Sequence, residues 1–126
     1  MRYGLLSSAL LFCAASLQLF AGGHGHSKYP IVWERTVEMQ QGVSYDEAIQ
    51  VAGELKAFFK KHDIDITMAV PLSGDTRSIT FAMEGDSMDE MMKKSIKVSE
   101  TKEWKALSEK ATKYLSHPVD NWYMVD

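Results

Sequence analysis

The chain predicts an α+β fold of the ferredoxin-like type, βαββα(α)β, with a four-stranded antiparallel sheet and helices on one face. Three observations carry this. Four segments alternate apolar and polar residues with the period of a strand. Two Ser-x-x-Glu capping boxes open stretches whose apolar residues recur at helical spacing. The order of these segments, with a short link between the second and third strands, is that of the split βαβ arrangement.

The elements follow in turn. Residues 1–23 have the layout of a secretory leader: Arg2, then an apolar core from Leu5 to Phe20, then small residues at Ala21-Gly22-Gly23. Residues 24–30 read as a flexible tail, and residues 31–126 as one domain. From Ile31 to Gln40, Ile31, Trp33, Val37 and Met39 alternate with Val32, Glu34, Thr36 and Glu38, a first strand that ends at Gln41-Gly42. Ser44 to Glu47 caps a helix carrying Ala48, Ala52, Leu55, Phe59 and His62, with its exit at Asp63. Ile64 to Val70 is a second strand stopped by Pro71, and Arg77 to Glu84 a third; Ser73-Gly74-Asp75 between them makes a hairpin. Ser87 to Glu90 caps a second helix with Met88, Met91, Met92 and Ile96 on one side. A further helical pattern after Ser99 carries Trp104, Leu107, Ala111 and Tyr114, and His117-Pro118 ends it. Val119 to Val125 closes the chain as a fourth strand.

Composition excludes several functions. The chain of 126 residues has a net charge of −3, and removing the leader, with one base and no acid, leaves −4. Such a surface does not suit phosphate backbones, so nucleic acid is not an expected partner. The one cysteine, Cys13, lies in the leader; the mature domain would have no disulfide, thiol nucleophile or thiolate metal site. After Phe20 no apolar run is long enough to span a bilayer, so no membrane association is expected after leader cleavage. The expected location is periplasmic or secreted. A small domain without disulfides is expected to gain stability by self-association.

The stretch Ser99-Glu100-Thr101-Lys102-Glu103-Trp104-Lys105, with its Trp early in the last helix and an apolar C-terminal strand after it, resembles the dimeric α/β-barrel superfamily. This group includes NIPSNAP-like and antibiotic-biosynthesis-monooxygenase-like proteins. The resemblance spans roughly residues 29–126 and is mainly architectural. It implies a homodimer that packs its open sheet faces together, with space for a ligand between sheet and helices. Some members are cofactor-independent oxygenases and some handle haem. The haem-degrading pattern of an Asn on the first strand with a Trp and a His on later helices is not matched. The first strand has no Asn before Gln40, and Tyr114 rather than His lies ten residues after Trp104.

Candidate site residues fall into three groups. For a ligand between sheet and helices, small and either apolar or acidic, they are Trp33, Arg35, Met88, Met92 and Tyr123. Arg35 stands out because it occupies the apolar side of its strand and needs acceptors there. Trp33 offers it a ring. Its plainer reading is a structural ion pair. Met88, Met91 and Met92 describe a core stripe or a flexible wall; as thioethers they also suit Cu(I). For a cofactor-independent monooxygenase or isomerase, Glu34 or Glu38 is the candidate base, raised in pKa if desolvated. The plainer reading is a wet sheet face. For metal, leader cleavage after Gly23 leaves His24-Gly25-His26, and cleavage after Ala21 leaves Gly22-Gly23-His24. Either places a His third from a free amine, a nitrogen set suited to Cu(II) or Ni(II). No motif specifies a cofactor, and the chemistry considered needs none. The sequence names no reaction.

Overall fold

The computed structural model describes residues 29–125. The leader, His24 and His26 lie outside them. The elements are β1 (Ile31–Met39), α1 (Tyr45–Lys61), β2 (Thr67–Ala69), β3 (Ser78–Gly85), α2 (Met88–Ser99), α3 (Lys102–Ala111) and β4 (Leu115–Met124). The strands form one antiparallel sheet in the order β2-β3-β1-β4. This is the ferredoxin-like arrangement expected from the element order. Pro30 joins the sheet's end, its carbonyl accepting from the Val125 N–H at 2.9 Å.

β1 is central and its alternation sets the two faces. Ile31, Trp33, Val37 and Met39 are buried against the helices. Glu34 and Thr36 lie on the other face, with Thr80 and Ala82 of β3 beside them. The core joins β1 and β3 to Val51, Leu55 and Phe58 of α1, Met91, Met92 and Val98 of α2, and Trp104 and Ala111 of α3. In α1 the deepest ring is Phe58; Phe59, expected in the stripe, is partly buried beside it.

Both expected caps form. Ser44 Oγ accepts from the Glu47 N–H and Ser87 Oγ from the Glu90 N–H, each at 3.3 Å. A third cap divides the last helical region: Thr101 Oγ1 accepts from the Trp104 N–H at 3.1 Å. α1 ends in a Schellman motif. The Ile64 N–H reaches the Phe59 carbonyl at 2.9 Å and the Asp63 N–H the Lys60 carbonyl at 3.0 Å. This puts Asp63 at φ 63°, a left-handed conformation that glycine adopts without the Cβ penalty. Asp63→Gly is expected to stabilise the fold by up to about 1 kcal/mol, read as a raised midpoint of urea unfolding. A lowered midpoint would mean that the aspartate side chain holds the turn.

Two boundaries differ from the sequence reading. β2 is only Thr67–Ala69, because the preceding residues leave the Schellman turn before they can pair; Ile64 is buried as the turn's apolar anchor. His117-Pro118 does not end a helix. α3 stops at Ala111, Tyr114 lies outside it, and β4 begins at Leu115 rather than Val119. The register of β4 against β1 shifts between Thr36 and Glu38, so His117 and Pro118 together oppose Val37. His117 takes φ 52°, the left-handed residue of a bulge. Proline is tolerated because β4 is an edge strand. The extra residue has a packing consequence. Leu115 pairs with Met39, and Trp122 with Trp33, so both face the helices although they lie an odd number of positions apart. A regular strand would turn one of them to the opposite face.

Candidate functional site

A predominantly apolar cavity of about 60 Å³ lies between sheet and helices. Its sheet wall carries Trp33 and Arg35 of β1 with Phe81 and Met83 of β3; its helix wall carries Leu55 and Phe59 of α1, Ser95 of α2 and Trp104 of α3. Ile66 closes one side. A single water needs roughly 10–15 Å³ of such space, so there is room for a small molecule.

The walls are rigid for identifiable reasons. Trp33 stacks on Trp122 with ring centroids 4.7 Å apart and planes inclined by 13°. Trp104 packs on Phe58 and Phe59, at 5.6 and 5.3 Å between centroids. Arg35 supplies the charge in this lining. Its Nε donates to Asp120 Oδ1 at 2.6 Å and its Nη2 to Asp120 Oδ2 at 2.8 Å. The two side chains are 11% and 14% exposed. This bidentate pair is the strong form of a guanidinium–carboxylate contact. The guanidinium carbon also lies 5.5 Å from the Trp33 ring centroid. Ionic pairing thus accounts for a basic residue on the apolar side of β1.

Two further polar groups of the lining are buried without a hydrogen-bond partner: Trp33 Nε1 and Ser95 Oγ. Ser95 stands out among the α2 and α3 serines. Ser99 donates to the Ile96 carbonyl at 2.7 Å and buried Ser108 to the Lys105 carbonyl at 3.1 Å.

Of the residues singled out from sequence, Trp33 and Arg35 line this cavity together. Met88 and Met92 do not; Met92 is buried within the core and Met88 packs against it. The α2 side chain that reaches the cavity is Ser95, one turn further along. Tyr123 projects from the open sheet face, where its hydroxyl approaches Glu34 Oε1 at 3.4 Å. Glu34 and Glu38 share that open face and are separated from the cavity by the sheet. Glu38 Oε1 is 4.0 Å from His117 Nδ1, which also meets Ser116 Oγ at 3.0 Å. Among the described residues, no group of three or more His, Cys, Asp or Glu is arranged to hold a metal ion, and no helix is long and apolar enough to cross a membrane.

Sequence reasoning missed Asp120 and Ser95. Ser95 left a local signal, a hydroxyl four and three residues after Met91 and Met92 in an apolar stripe. Asp120 left none, because its partner lies 85 residues away.

Fold and cavity together define a ferredoxin-like α+β domain with a small apolar interior site. Its structural neighbours include NIPSNAP proteins. The chain superposes on a NIPSNAP family protein from Agrobacterium tumefaciens with a TM-score of 0.70 at 17% identity, covering 82% of this chain and 92% of that one. An uncharacterised NIPSNAP domain protein from Burkholderia xenovorans gives a TM-score of 0.67 at 15% identity, covering 76% and 94%. A dimeric protein of unknown function with a ferredoxin-like fold, from Bacteroides fragilis, gives 0.53 at 16% identity, covering 75% and 96%. These likenesses show a shared fold, in keeping with the NIPSNAP-like architecture read from the sequence. No protein-family model and no curated protein matches the chain.

Proposed function

We propose that this protein is an exported, dimeric module that binds a small, mainly apolar molecule in the cavity between sheet and helices. The observation that carries the reading is the cavity itself. Its rings are held by stacking and its one ionic group is paired, so the space is defined before a ligand enters. Export rests on the leader layout of residues 1–23.

Dimerisation is supported by the open sheet face. Val119 is 57% and Tyr123 48% exposed there, beside Thr36 and Thr80, whose hydroxyls meet at 3.0 Å. One structural neighbour is itself described as dimeric. Glu34 and Glu38 then belong to the dimer contact rather than to chemistry in the cavity.

Native mass spectrometry of protein expressed with its leader, followed by titration with benzene, tests this reading. The expected species is a dimer lacking the leader. Benzene is expected to shift the NMR signals of the Met83 methyl and the Trp104 indole. An unprocessed chain would overturn export. A monomer at high concentration, or Val119→Lys leaving a dimer intact, would overturn dimerisation through this face. An interior that neither retains a small molecule nor responds to benzene would remove the binding function.

A further inference from the structure

We infer that the ligand is an uncharged molecule of about half a dozen non-hydrogen atoms, with one hydrogen-bond acceptor read by the Trp33 indole N–H and the Ser95 hydroxyl. This rests on the cavity-binding reading above and specifies the chemistry it selects.

The first argument is the pair of orphan donors. An indole nitrogen only donates, and buried donors without partners are rare and costly in folded proteins. Trp33 is 4% exposed and Ser95 fully buried, and neither polar atom has a partner. The two come from opposite walls of one cavity, β1 and α2. Ser95 also lies on the buried stripe of α2 with Met91, Met92 and Val98. Alanine would fill that place without an unmet hydroxyl. Both atoms are closed to a water-sized probe as the interior stands, so a carbonyl, ether or ring-nitrogen acceptor meets them through a small shift of the Trp33 ring and of the Ser95 side chain toward the space between the walls.

The second argument is charge. Arg35 is the cation in the lining, and its Nε and Nη2 donate to the two oxygens of Asp120. Asp120 already balances the charge of Arg35, so a carboxylate ligand would bring a second negative charge into the interior without a second cation. The apolar-or-acidic choice left open by the sequence therefore narrows to an uncharged ligand. The third argument is size: about 60 Å³ is several times the space that one water requires.

Three probes test this: cyclopentanone, methylenecyclopentane of matched shape, and the charged cyclopentanecarboxylate. Each is titrated into the ¹⁵N-labelled mature protein, into Ser95→Ala and into Trp33→Phe, following the indole N–H signals of the three tryptophans. Cyclopentanone is expected to bind and move the Trp33 indole signal, which methylenecyclopentane leaves near its free position. Each substitution is expected to weaken the ketone about five- to tenfold, the size of one buried hydrogen bond, without weakening the hydrocarbon. Ser95→Ala is the smaller change and serves alone if Trp33→Phe does not fold. Equal losses for ketone and hydrocarbon would overturn the acceptor inference while leaving the binding site standing. Tighter binding of the carboxylate than of the ketone would overturn the requirement for an uncharged ligand. Failure of all three probes, with benzene also excluded, would instead remove the cavity-binding reading on which the inference stands.

Discussion

Replacing Trp104 with alanine is expected to destabilise the protein by about 3–5 kcal/mol, the usual cost of deleting a large buried ring. Trp104 is 2% exposed and is among the largest fully buried side chains of the described domain. It touches Phe58 and Phe59 of α1 from α3, so its loss opens the seam between two helices as well as the wall of the cavity. For a domain of this size each kcal/mol is worth about 4–8 °C in Tm, so the loss is visible in thermal or urea unfolding. The same substitution enlarges the cavity, and any variant that remains folded should admit larger apolar probes than the parent does. A loss of less than about 1 kcal/mol would show that the ring is not the keystone of the helical layer.

The second large effect is expected at Arg35. Arg35→Met leaves the Asp120 carboxylate facing an apolar layer without its partner, and the expected cost is about 2–4 kcal/mol. That sits below the range for a fully enclosed pair because both side chains retain some exposure. The double variant Arg35→Met with Asp120→Leu is expected to recover most of the loss, since an apolar pair of similar volume often matches a buried ion pair. Urea midpoints of the parent, both single variants and the double form a cycle that isolates the coupling. If single and double variants are equally unstable, the contribution of Arg35 is its packing over Trp33 and not its charge. Asp120→Asn tests the same contact from the other side, keeping shape while removing the negative charge.

Much of the fold was legible because its signals are local. The alternation in Ile31–Met39 and Ser78–Gly85 places their side chains whatever the rest of the chain does. The Ser44 and Ser87 caps mark helix starts through bonds that span three residues. The misread boundary at His117-Pro118 has an equally plain origin. Proline is a helix breaker and an edge-strand residue alike, and only the pairing partner separates the two. Thr101, a third cap, is equally local, its hydroxyl accepting from the N–H three residues on.

The candidate site was legible only in part. Arg35 could be marked as anomalous from β1 alone, since a guanidinium on the apolar side must find acceptors. Met88 and Met92 satisfied the same helical spacing as Ser95, and spacing cannot say which members of a buried stripe face a void rather than a close-packed neighbour. Tyr123 and Asp120 lie three positions apart on one strand and so point to opposite faces, and the register with β1 decides which of them meets Arg35.

The sequence by itself determined the order of elements, the buried side of each, the caps and the one basic residue that had to be paired. Periodicity and capping act over three to seven residues, so no tertiary information is needed to read them. Tertiary structure alone decided that Asp120 meets Arg35, that Trp122 stacks on Trp33, and that the remaining space lies beside two unmet donors. Those facts depend on the register between strands far apart in the chain. That register turns on one extra residue at His117-Pro118, which brings both Leu115 and Trp122 to the core.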